Sequence, residues 1–233
     1  MQLENNPILY ADIINSLALD AKILYEDMHA ICIQDTHSDI VYVASTSQES
    51  AIQMESYIPK DFSILVSHDT FTNKVLNEKR NLVYENKCYH CAYLSKEPFT
   101  LEIPEGYRIA YVTKEYMQDV IALYGKEMPT LANEDYMGLC MDGGMLGIFQ
   151  KTILCGFICV HEGGYGSIGM LEVKEEYRHR GFGVLLEKAM INVQIERGRI
   201  PYGEIFIENS ASLQLQKKVG ISIGKDLTYW FYG

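Results

Sequence analysis

The stretch Arg178-His-Arg-Gly-Phe-Gly183 decides the fold of this chain. It follows Ser167-Ile-Gly-Met-Leu-Glu-Val173, which predicts a strand, and it precedes residues 184–197, whose pattern predicts an amphipathic helix. Backbone N–H groups at a helix N-terminus have no partner within the helix, and the helix dipole favours negative charge there. Because glycine lets a backbone approach a ligand closely, the stretch predicts an anion-binding turn.

The turn differs from two common nucleotide-binding motifs. A Rossmann motif, G-x-G-x-x-G, requires a third glycine where this chain has Leu186. A Walker loop, G-x-x-x-x-G-K-[ST], requires a spacing and a hydroxyl residue that Gly224-Lys-Asp226 lacks. The pattern that remains is R-x-x-G-x-G. By itself this short motif leaves a second interpretation open, a tight strand-to-helix turn without a ligand.

A second motif lies downstream, at Asn209-Ser-Ala-Ser-Leu-Gln-Leu-Gln-Lys-Lys-Val-Gly220. Residues 202–208 alternate apolar and polar, which predicts a strand, while Asn209 suits a helix N-cap and Gly220 a helix C-cap. Together the two motifs resemble the signatures of the GNAT superfamily of N-acyltransferases, Q/R-x-x-G-x-G/A followed by N-x-A-S-x-x-L-Y-x-K-x-G-F. The resemblance covers about residues 103–233.

The resemblance implies an α/β fold with a mixed (α+β) sheet, in which residues 101–233 form the GNAT domain. It implies that amides of the loop bind the pyrophosphate of an acyl-coenzyme A, with acetyl-coenzyme A as the expected co-substrate. It also implies that a strand splays from its neighbour, so that a free backbone amide meets the thioester carbonyl. The cofactor-binding residues implied are Leu171, Val173, Arg178, His179, Arg180, Gly181, Phe182, Gly183, Val184, Asn209, Ser212 and Gln216.

Glu172 is the candidate catalytic residue, as the general base. An amine with a pKa near 10 is protonated at neutral pH, so a base or a desolvating cleft must help to deprotonate it. Glu172 lies one residue before Val173, although alternate residues of a strand face opposite sides and Glu172 could face solvent instead. Glu208 and His161 are the rival bases.

Gln216 departs from the family pattern, which often has tyrosine there as the general acid to the leaving thiolate. Glutamine forms hydrogen bonds but does not act as such an acid. A coenzyme-binding sensor that has lost turnover is therefore the alternative function. Structural roles also stay open for Asn209 as a helix cap, for Ser212 as an ordinary first-turn residue and for Phe182 as a core anchor.

Composition narrows the expected partners and location. The 233-residue chain is 48% hydrophobic and has a formal net charge of −11, which disfavours binding to nucleic acid or to an anionic membrane. We expect a small-molecule amine as acceptor, with a protein lysine or N-terminus as the alternative. No apolar run is long enough to span a bilayer and the start lacks a basic segment, so a cytoplasmic location is expected.

The cysteines predict no metal site. Cys88-Tyr-His90-Cys91 is the only metal-like cluster in the sequence. A zinc site there would need further ligands from distant positions, such as Cys32 or His68. Reduced thiols are the better interpretation of the six cysteines in a cytoplasmic protein.

The first half, residues 1–100, is predicted to be a smaller α/β domain. Two prolines and several charges mark residues 95–106 as a connector. Two-domain acyltransferases resembling the glycine N-acyltransferase group carry a degenerate GNAT-like half at this position, and this half could be such a copy, although it lacks the R-x-x-G-x-G motif. Its expected role is either a lid over the acceptor site or a dimer contact, so a homodimer is one expected assembly.

Hydrophobic periodicity predicts alternating helices and strands in both halves. In the first half, helices are predicted over residues 17–29, 47–57 and 69–79, and strands over 30–33, 40–44, 62–66 and within 81–94. In the second half, strands are predicted over residues 107–112, 144–149, 153–161, 167–173, 202–208 and 227–232, and helices over 114–124, 133–140, 184–197 and 210–219.

Overall fold

The computed structural model describes residues 1–126 and 128–233 and divides them into two compact units. Unit 1 contains residues 1–94, 204–213 and 221–233, and unit 2 contains residues 95–203 and 214–220. The first division falls at the start of the predicted connector, which contains neither helix nor strand. The units differ from the predicted limits of 1–100 and 101–233, because two C-terminal segments cluster with the N-terminal strands.

The helices and strands follow in chain order: α1 (Ala11–Ala18), β1 (Lys22–Glu26), β2 (Ala30–Gln34), β3 (Ile40–Ser45), α2 (Gln48–Glu55), β4 (Ile64–Ser67), α3 (Thr70–Arg80), β5 (Asn86–Ala92), β6 (Tyr107–Tyr111), α4 (Met117–Tyr124), α5 (Glu134–Asp142), β7 (Leu146–Gln150), β8 (Ile153–Val160), α6 (His161–Gly164), β9 (Ile168–Val173), α7 (Phe182–Glu196), β10 (Tyr202–Phe206), α8 (Ser210–Val219) and β11 (Ser222–Tyr232). Short 3₁₀ turns precede α1, α4 and α7.

A seven-stranded mixed sheet of order β1-β2-β3-β4-β11-β5-β10 organises unit 1. The strands β3 and β4 pair in parallel, whereas β11 lies between β4 and β5 and pairs antiparallel with both. Both faces of β2 are buried, since Ala30 and Cys32 pack in one apolar cluster while Ile31 and Ile33 pack in another. The sheet is therefore covered on both sides.

Unit 2 contains a four-stranded antiparallel sheet of order β6-β7-β8-β9. The helix α7 packs on β7, β8 and β9, while α4 contacts β9 and α5 contacts β8. Residues of α4, α5, β8 and β9 share one apolar cluster, which includes Val120, Met137, Phe157 and Met170. This packing fixes β9 and the loop that leads from it into α7.

The structure confirms the predicted α/β class and the predicted element order of residues 107–233, β-α-α-β-β-β-α-β-α-β, to which it adds the short turn α6, where Glu162 and Gly163 have left-handed φ values of 52° and 63°. One prediction is wrong: residues 17–29 do not form a helix. The helix ends at Ala18, Asp20 has a left-handed φ of 64°, and β1 then pairs with β2. Residues 22–26 form a strand because their pairing with β2 outweighs the local preference for a helix.

The last strand starts five residues earlier than predicted, at Ser222 instead of residue 227. Its register against β5 shifts between Ile223 and Leu227, and this irregularity interrupts the alternation that sequence reasoning depends on. Within residues 1–126 and 128–233, no helix combines the length and apolar character needed to cross a bilayer.

Candidate functional site

The strand β9 is the edge strand of its sheet and carries a β-bulge. Phe157 and Cys159 of β8 pair with Glu172 and Gly169, so β9 has one residue more than β8 over this stretch. Met170 lies within the bulge and has a left-handed φ of 52°. The bulge therefore turns the C-terminal end of β9, where the predicted site residues begin.

Val173 directs its backbone toward the open edge of the sheet. The next residue, Lys174, donates its N–H to the carbonyl of Cys155 on β8 at 2.9 Å. Residues of an antiparallel strand alternate between bonding to the partner strand and facing away from it, so the N–H and carbonyl of Val173 face the other edge. Arg178 Nε reaches that carbonyl at 2.9 Å, as this direction requires.

The loop before α7 leaves a helix N-terminus without a side-chain cap. Its N-cap is Gly181, at a left-handed φ of 80°, and no side chain bonds to the cap position. His179 also has a left-handed φ, of 62°. The first-turn N–H groups of Phe182, Gly183 and Val184 have no acceptor within the helix. Backbone of this alternating kind forms concave sites that bind anions, so the loop fits a phosphate group.

Space and charge around the loop also suit an anion. A β-carbon at Gly181 would meet no atom within 4 Å, so the N-cap is open. Arg178, His179 and Arg180 are all exposed. Arg180 donates to the hydroxyl of Tyr107 at 3.1 Å and to the carbonyl of Glu176 at 2.9 Å. The arginines thus contribute positive potential, and would have to rotate to contact a ligand directly.

Two clefts flank the loop within unit 2. The first has a volume of about 380 Å³ and includes Arg180, Gly181 and Lys188 in its lining. The second has a volume of about 480 Å³ and is lined by Arg178 together with Lys126 and Lys174. The first cleft lies at the N-terminus of α7, whereas the carboxylates of Asp119, Glu175 and Glu176 balance the three cations of the second.

Glu172 and Leu171 have different surroundings, as expected for neighbours in a strand. Leu171 reaches α7, because its Cδ2 lies 3.6 Å from the position of a β-carbon at Gly183. The side chain of Glu172 is 15% exposed, and its Oε2 lies 3.9 Å from the Arg178 guanidinium. The candidate base is thus a largely buried carboxylate beside a cation.

The rival base His161 is in contact with a tyrosine that the sequence did not indicate. The hydroxyl of Tyr136 lies 2.8 Å from His161 Nδ1 and 3.4 Å from Glu162 Oε1. Burial lowers the pKa of His161 to about 4, so its ring is neutral at pH 7. The other rival, Glu208, is exposed and belongs to unit 1.

Asn209 and Ser212 form the N-terminal cap of α8. The Asn209 Oδ1 accepts a hydrogen bond from the Ser212 N–H at 2.9 Å, which is the geometry of an N-cap. Both residues belong to unit 1. Phe182 belongs to unit 2, where it is buried and its ring meets that of Tyr107 edge-on at 4.8 Å. The structural roles considered for Asn209 and Phe182 are therefore present.

Gln216 is buried against an acidic residue of α7. It is 5% exposed, and its Nε2 donates to Glu187 Oε1 at 3.2 Å. Its Oε1 has no hydrogen-bond partner among the described residues. Burial raises the pKa of Glu187 to about 7, an effect that the Gln216 hydrogen bond partly opposes. A protonated Glu187 would be a donor suited to that acceptor.

Sequence reasoning missed Glu187, although α7 contained a signal. Glu187 lies three residues before Met190 and seven before Gln194, both of which are buried. A carboxylate on the apolar stripe of a helix predicts a perturbed group that needs a partner. The partner is Gln216, the position at which the sequence departs from the GNAT pattern.

Comparison with known proteins agrees with this geometry. Residues 145–231 match the family model described as FR47-like protein. A Drosophila protein of known structure is 16% identical, with 97% of this chain and 90% of that chain covered and a TM-score of 0.65. A GCN5-related N-acetyltransferase from Kribbella flavida is 11% identical, with 95% of each chain covered and a TM-score of 0.58.

A tandem GNAT protein from the clavulanic acid biosynthesis pathway also shares the fold. It is 12% identical, with 96% of this chain and 87% of that chain covered and a TM-score of 0.52. No curated protein matches the sequence of this chain. The chain thus has the GNAT fold, and the resemblance to the GNAT superfamily predicted from the two motifs is confirmed.

The buried Glu187 predicts a pH-dependent stability. Its pKa is 4.5 in the unfolded chain and about 7 in the folded chain, so between these values the folded state retains a proton that the unfolded state releases. The free energy of unfolding should therefore fall by on the order of 3 kcal/mol between about pH 4.5 and pH 7, and stay low above that range.

Urea unfolding at several pH values measures this dependence. The variant Glu187→Gln should lose it and should be more stable than the wild type above pH 7. Glu196→Gln changes an exposed carboxylate on the same helix and should behave as the wild type. Equal pH dependence in the wild type and in Glu187→Gln would contradict the assignment.

Proposed function

We propose that this protein is an acyl-coenzyme A-dependent N-acyltransferase that transfers acetyl from acetyl-coenzyme A to the primary amine of a small molecule, in the cytoplasm. The observation that carries the proposal is the arrangement of main-chain donors in unit 2. The uncapped first turn of α7 begins nine residues after Val173, whose N–H faces the open edge of β9. One donor set suits a diphosphate, and the other suits a carbonyl oxygen.

Main-chain groups hold the co-substrate in this proposal. The N–H groups of Phe182, Gly183 and Val184 bind the pyrophosphate, and Arg178, His179 and Arg180 attract it. When bound, acetyl-coenzyme A supplies an acyl group already activated as a thioester. The Val173 N–H donates to the thioester carbonyl oxygen, and a fixed donor of this kind contributes about 3 kcal/mol to transition-state stabilisation.

Glu172 acts as the base that accepts the proton of the attacking amine, directly or through a water molecule. Its carboxylate is largely shielded from solvent and lies beside the Arg178 guanidinium. The net charge of −11 supports a cationic acceptor, because it attracts an ammonium group before deprotonation. His161, neutral at pH 7 and bound to Tyr136, is the base in the competing version of the proposal.

The burial of Gln216 favours a second candidate function, a sensor that binds coenzyme without turnover. The family tyrosine at this position protonates the leaving thiolate, whereas Gln216 has its amide bonded to Glu187. In the transferase proposal the thiolate leaves with hydrogen-bond help alone or with another tyrosine as acid. Release of free coenzyme A thiol in the presence of a panel of amines separates the transferase from the sensor.

The first 100 residues form a degenerate GNAT-like half in this proposal. The tandem GNAT protein supports it, since that protein covers 96% of the present chain. Such a half has no R-x-x-G-x-G motif, so it contributes no second coenzyme site. Its role is to cover the acceptor or to form a dimer contact.

Acetyl-coenzyme A should stabilise the protein through the α7 N-terminus. At a hundredfold excess over Kd, linkage predicts a gain of about 2.7 kcal/mol in the free energy of unfolding. Gly181→Asp should remove this gain, because it places a negative charge where the phosphate binds. Gly181→Asn has nearly the same shape, also tolerates a left-handed φ and should keep most of the gain. Calorimetric titration and thermal unfolding measure the binding of acetyl-coenzyme A to both variants. Equal binding by the Gly181→Asp and Gly181→Asn proteins would exclude a phosphate at this turn.

Replacing Val173 by proline tests the main-chain donor. Proline removes the N–H, and an edge strand tolerates this where the N–H faces away from its partner. Val173→Pro should lower kcat on the order of 100-fold while Kd for acetyl-coenzyme A stays within a few-fold. Val173→Ala keeps the N–H and should stay near the wild-type rate. A folded Val173→Pro protein with full kcat would remove this amide from the mechanism.

Glu172→Gln tests the base. The variant should lower kcat/KM by roughly 100-fold or more and should abolish the rise of rate with pH that reports deprotonation of the base. Glu175→Gln, an exposed neighbour, is the matched control. An unchanged rate and pH profile for Glu172→Gln would transfer the role to His161.

A further inference from the structure

A buried polar cluster lies in unit 1, far along the chain from the loop before α7. It consists of Asp12 from α1, His68 after β4, His90 from β5 and Glu204 from β10. The side chains of Asp12, His68 and His90 are 0% exposed, and that of Glu204 is 9% exposed. The proposed acyl transfer uses none of these residues, so the Asp-His-His-Glu cluster needs its own explanation.

The two imidazoles have too many acceptors for one proton each. His68 Nδ1 lies 2.9 Å from the carbonyl oxygen of Val43, and His90 Nδ1 lies 3.3 Å from that of Ile8. A carbonyl oxygen only accepts, so both Nδ1 atoms carry the hydrogen. Each Nε2 nevertheless faces a carboxylate, which also only accepts when it is ionised. A neutral imidazole cannot bond to both, so each Nε2 requires either a second proton or a cation.

The distances around the Nε2 atoms suit one shared cation. His68 Nε2 lies 2.9 Å from Asp12 Oδ2, His90 Nε2 lies 3.7 Å from the same oxygen, and His90 Nε2 lies 3.1 Å from Glu204 Oε1. Four ligands of a tetrahedral zinc ion, at bonds of about 2.0–2.1 Å, lie about 3.3 Å apart. The separations of 2.9 Å and 3.7 Å bracket that value, and the donor atoms of Asp12, His68 and His90 all lie within 4.8 Å of one another, a group that does not include Glu204.

The surroundings of the cluster match those of metal ligands. A histidine that binds a metal almost always donates its other N–H to a carbonyl or carboxylate, as both rings do here. The carboxylates are held as well, since Asp12 Oδ1 accepts from the Ile13 N–H at 2.7 Å and Glu204 Oε1 accepts from Trp230 Nε1 at 3.1 Å. Two carboxylates and a divalent cation also leave this buried site without net charge.

We propose that Asp12, His68 and His90 of the Asp-His-His-Glu cluster bind one zinc ion, with the Glu204 carboxylate beside the His90 ligand atom. Imidazole and carboxylate ligands suit zinc, and two histidines with one carboxylate are one of its usual protein ligand sets. Asp12 lies in α1, His68 directly follows β4 and His90 lies in β5, so the ion joins segments that are distant in sequence. The sequence suggested a zinc site around Cys88, His90 and Cys91. Among the described residues, the proposed site uses His90 and His68 of that set and none of the cysteines.

The purified full-length protein tests the proposal with zinc and cobalt(II) as probes. We expect inductively coupled plasma mass spectrometry to find one equivalent of zinc per chain. After a chelator removes it, the unfolding temperature should fall, and cobalt(II) should give the strong visible absorption of a tetrahedral site. ¹⁵N NMR of the histidine rings should show His68 and His90 protonated at Nδ1 alone in the loaded protein. None of these readouts depends on acyl transfer.

Matched variants separate the ligands from neighbouring thiols. Asp12→Asn keeps the size of a ligand side chain and should weaken zinc binding by at least roughly 100-fold, and Glu204→Gln, beside the ligand His90, should weaken it by roughly 10- to 100-fold. Cys88→Ala and Cys91→Ala should bind zinc as the wild type does. Loss of binding in the cysteine variants would assign the metal to the thiols and overturn the proposal. No bound metal, with both rings doubly protonated by NMR, would make the cluster a buried ion-pair network and would also overturn it.

Discussion

The candidate site of unit 2 depends on one constraint, the main-chain path from β9 into α7. The bulge at Met170 lies on a strand with one open edge, and left-handed residues at 179 and 181 then turn the chain into a helix without a side-chain cap. A helix N-terminus of this kind needs acceptors from water or from a ligand. The donors are main-chain groups, so their positions follow from backbone geometry and tolerate wide variation of side chains. The chain shares the GNAT fold at 11–16% identity to these structural relatives.

The interior of unit 2 connects the departure from the family pattern with an unusual acid. Gln216 and Glu187 are both buried, and each is the other's polar partner. With a tyrosine at position 216, the hydrogen-bond partner of the Glu187 carboxyl group would be a hydroxyl group instead of an amide. Desolvation raises the pKa of Glu187 toward neutrality in spite of that hydrogen bond. The replacement of the family tyrosine therefore changes how α7 and the end of α8 are held, as well as what chemistry is available to a thiolate.

Unit 1 shows that the two halves of the sequence are not independent folding units. The strand β11 occupies the position between β4 and β5, and both of its ladders are antiparallel. Residues 1–94 alone would leave the edges of these two strands unpaired, which is an aggregation hazard. Glu204 adds a second connection, because its carboxylate completes a polar cluster whose other members come from the first 94 residues. The sheet of unit 1 is therefore complete only with the C-terminal segments.

The sequence by itself determined the α/β class, the GNAT resemblance and the position of most elements after residue 106. Local signals were sufficient for this, since Gly181, Asn209 and Gly220 act through backbone conformation and capping within a few residues. Only the tertiary structure decided that residues 22–26 form a strand, that β11 joins the N-terminal strands, that Gln216 meets Glu187 and that Asp12, His68, His90 and Glu204 converge. Each of these features depends on segments distant along the chain, and periodicity carries no information about which strand becomes the neighbour of another or which buried polar group becomes its partner.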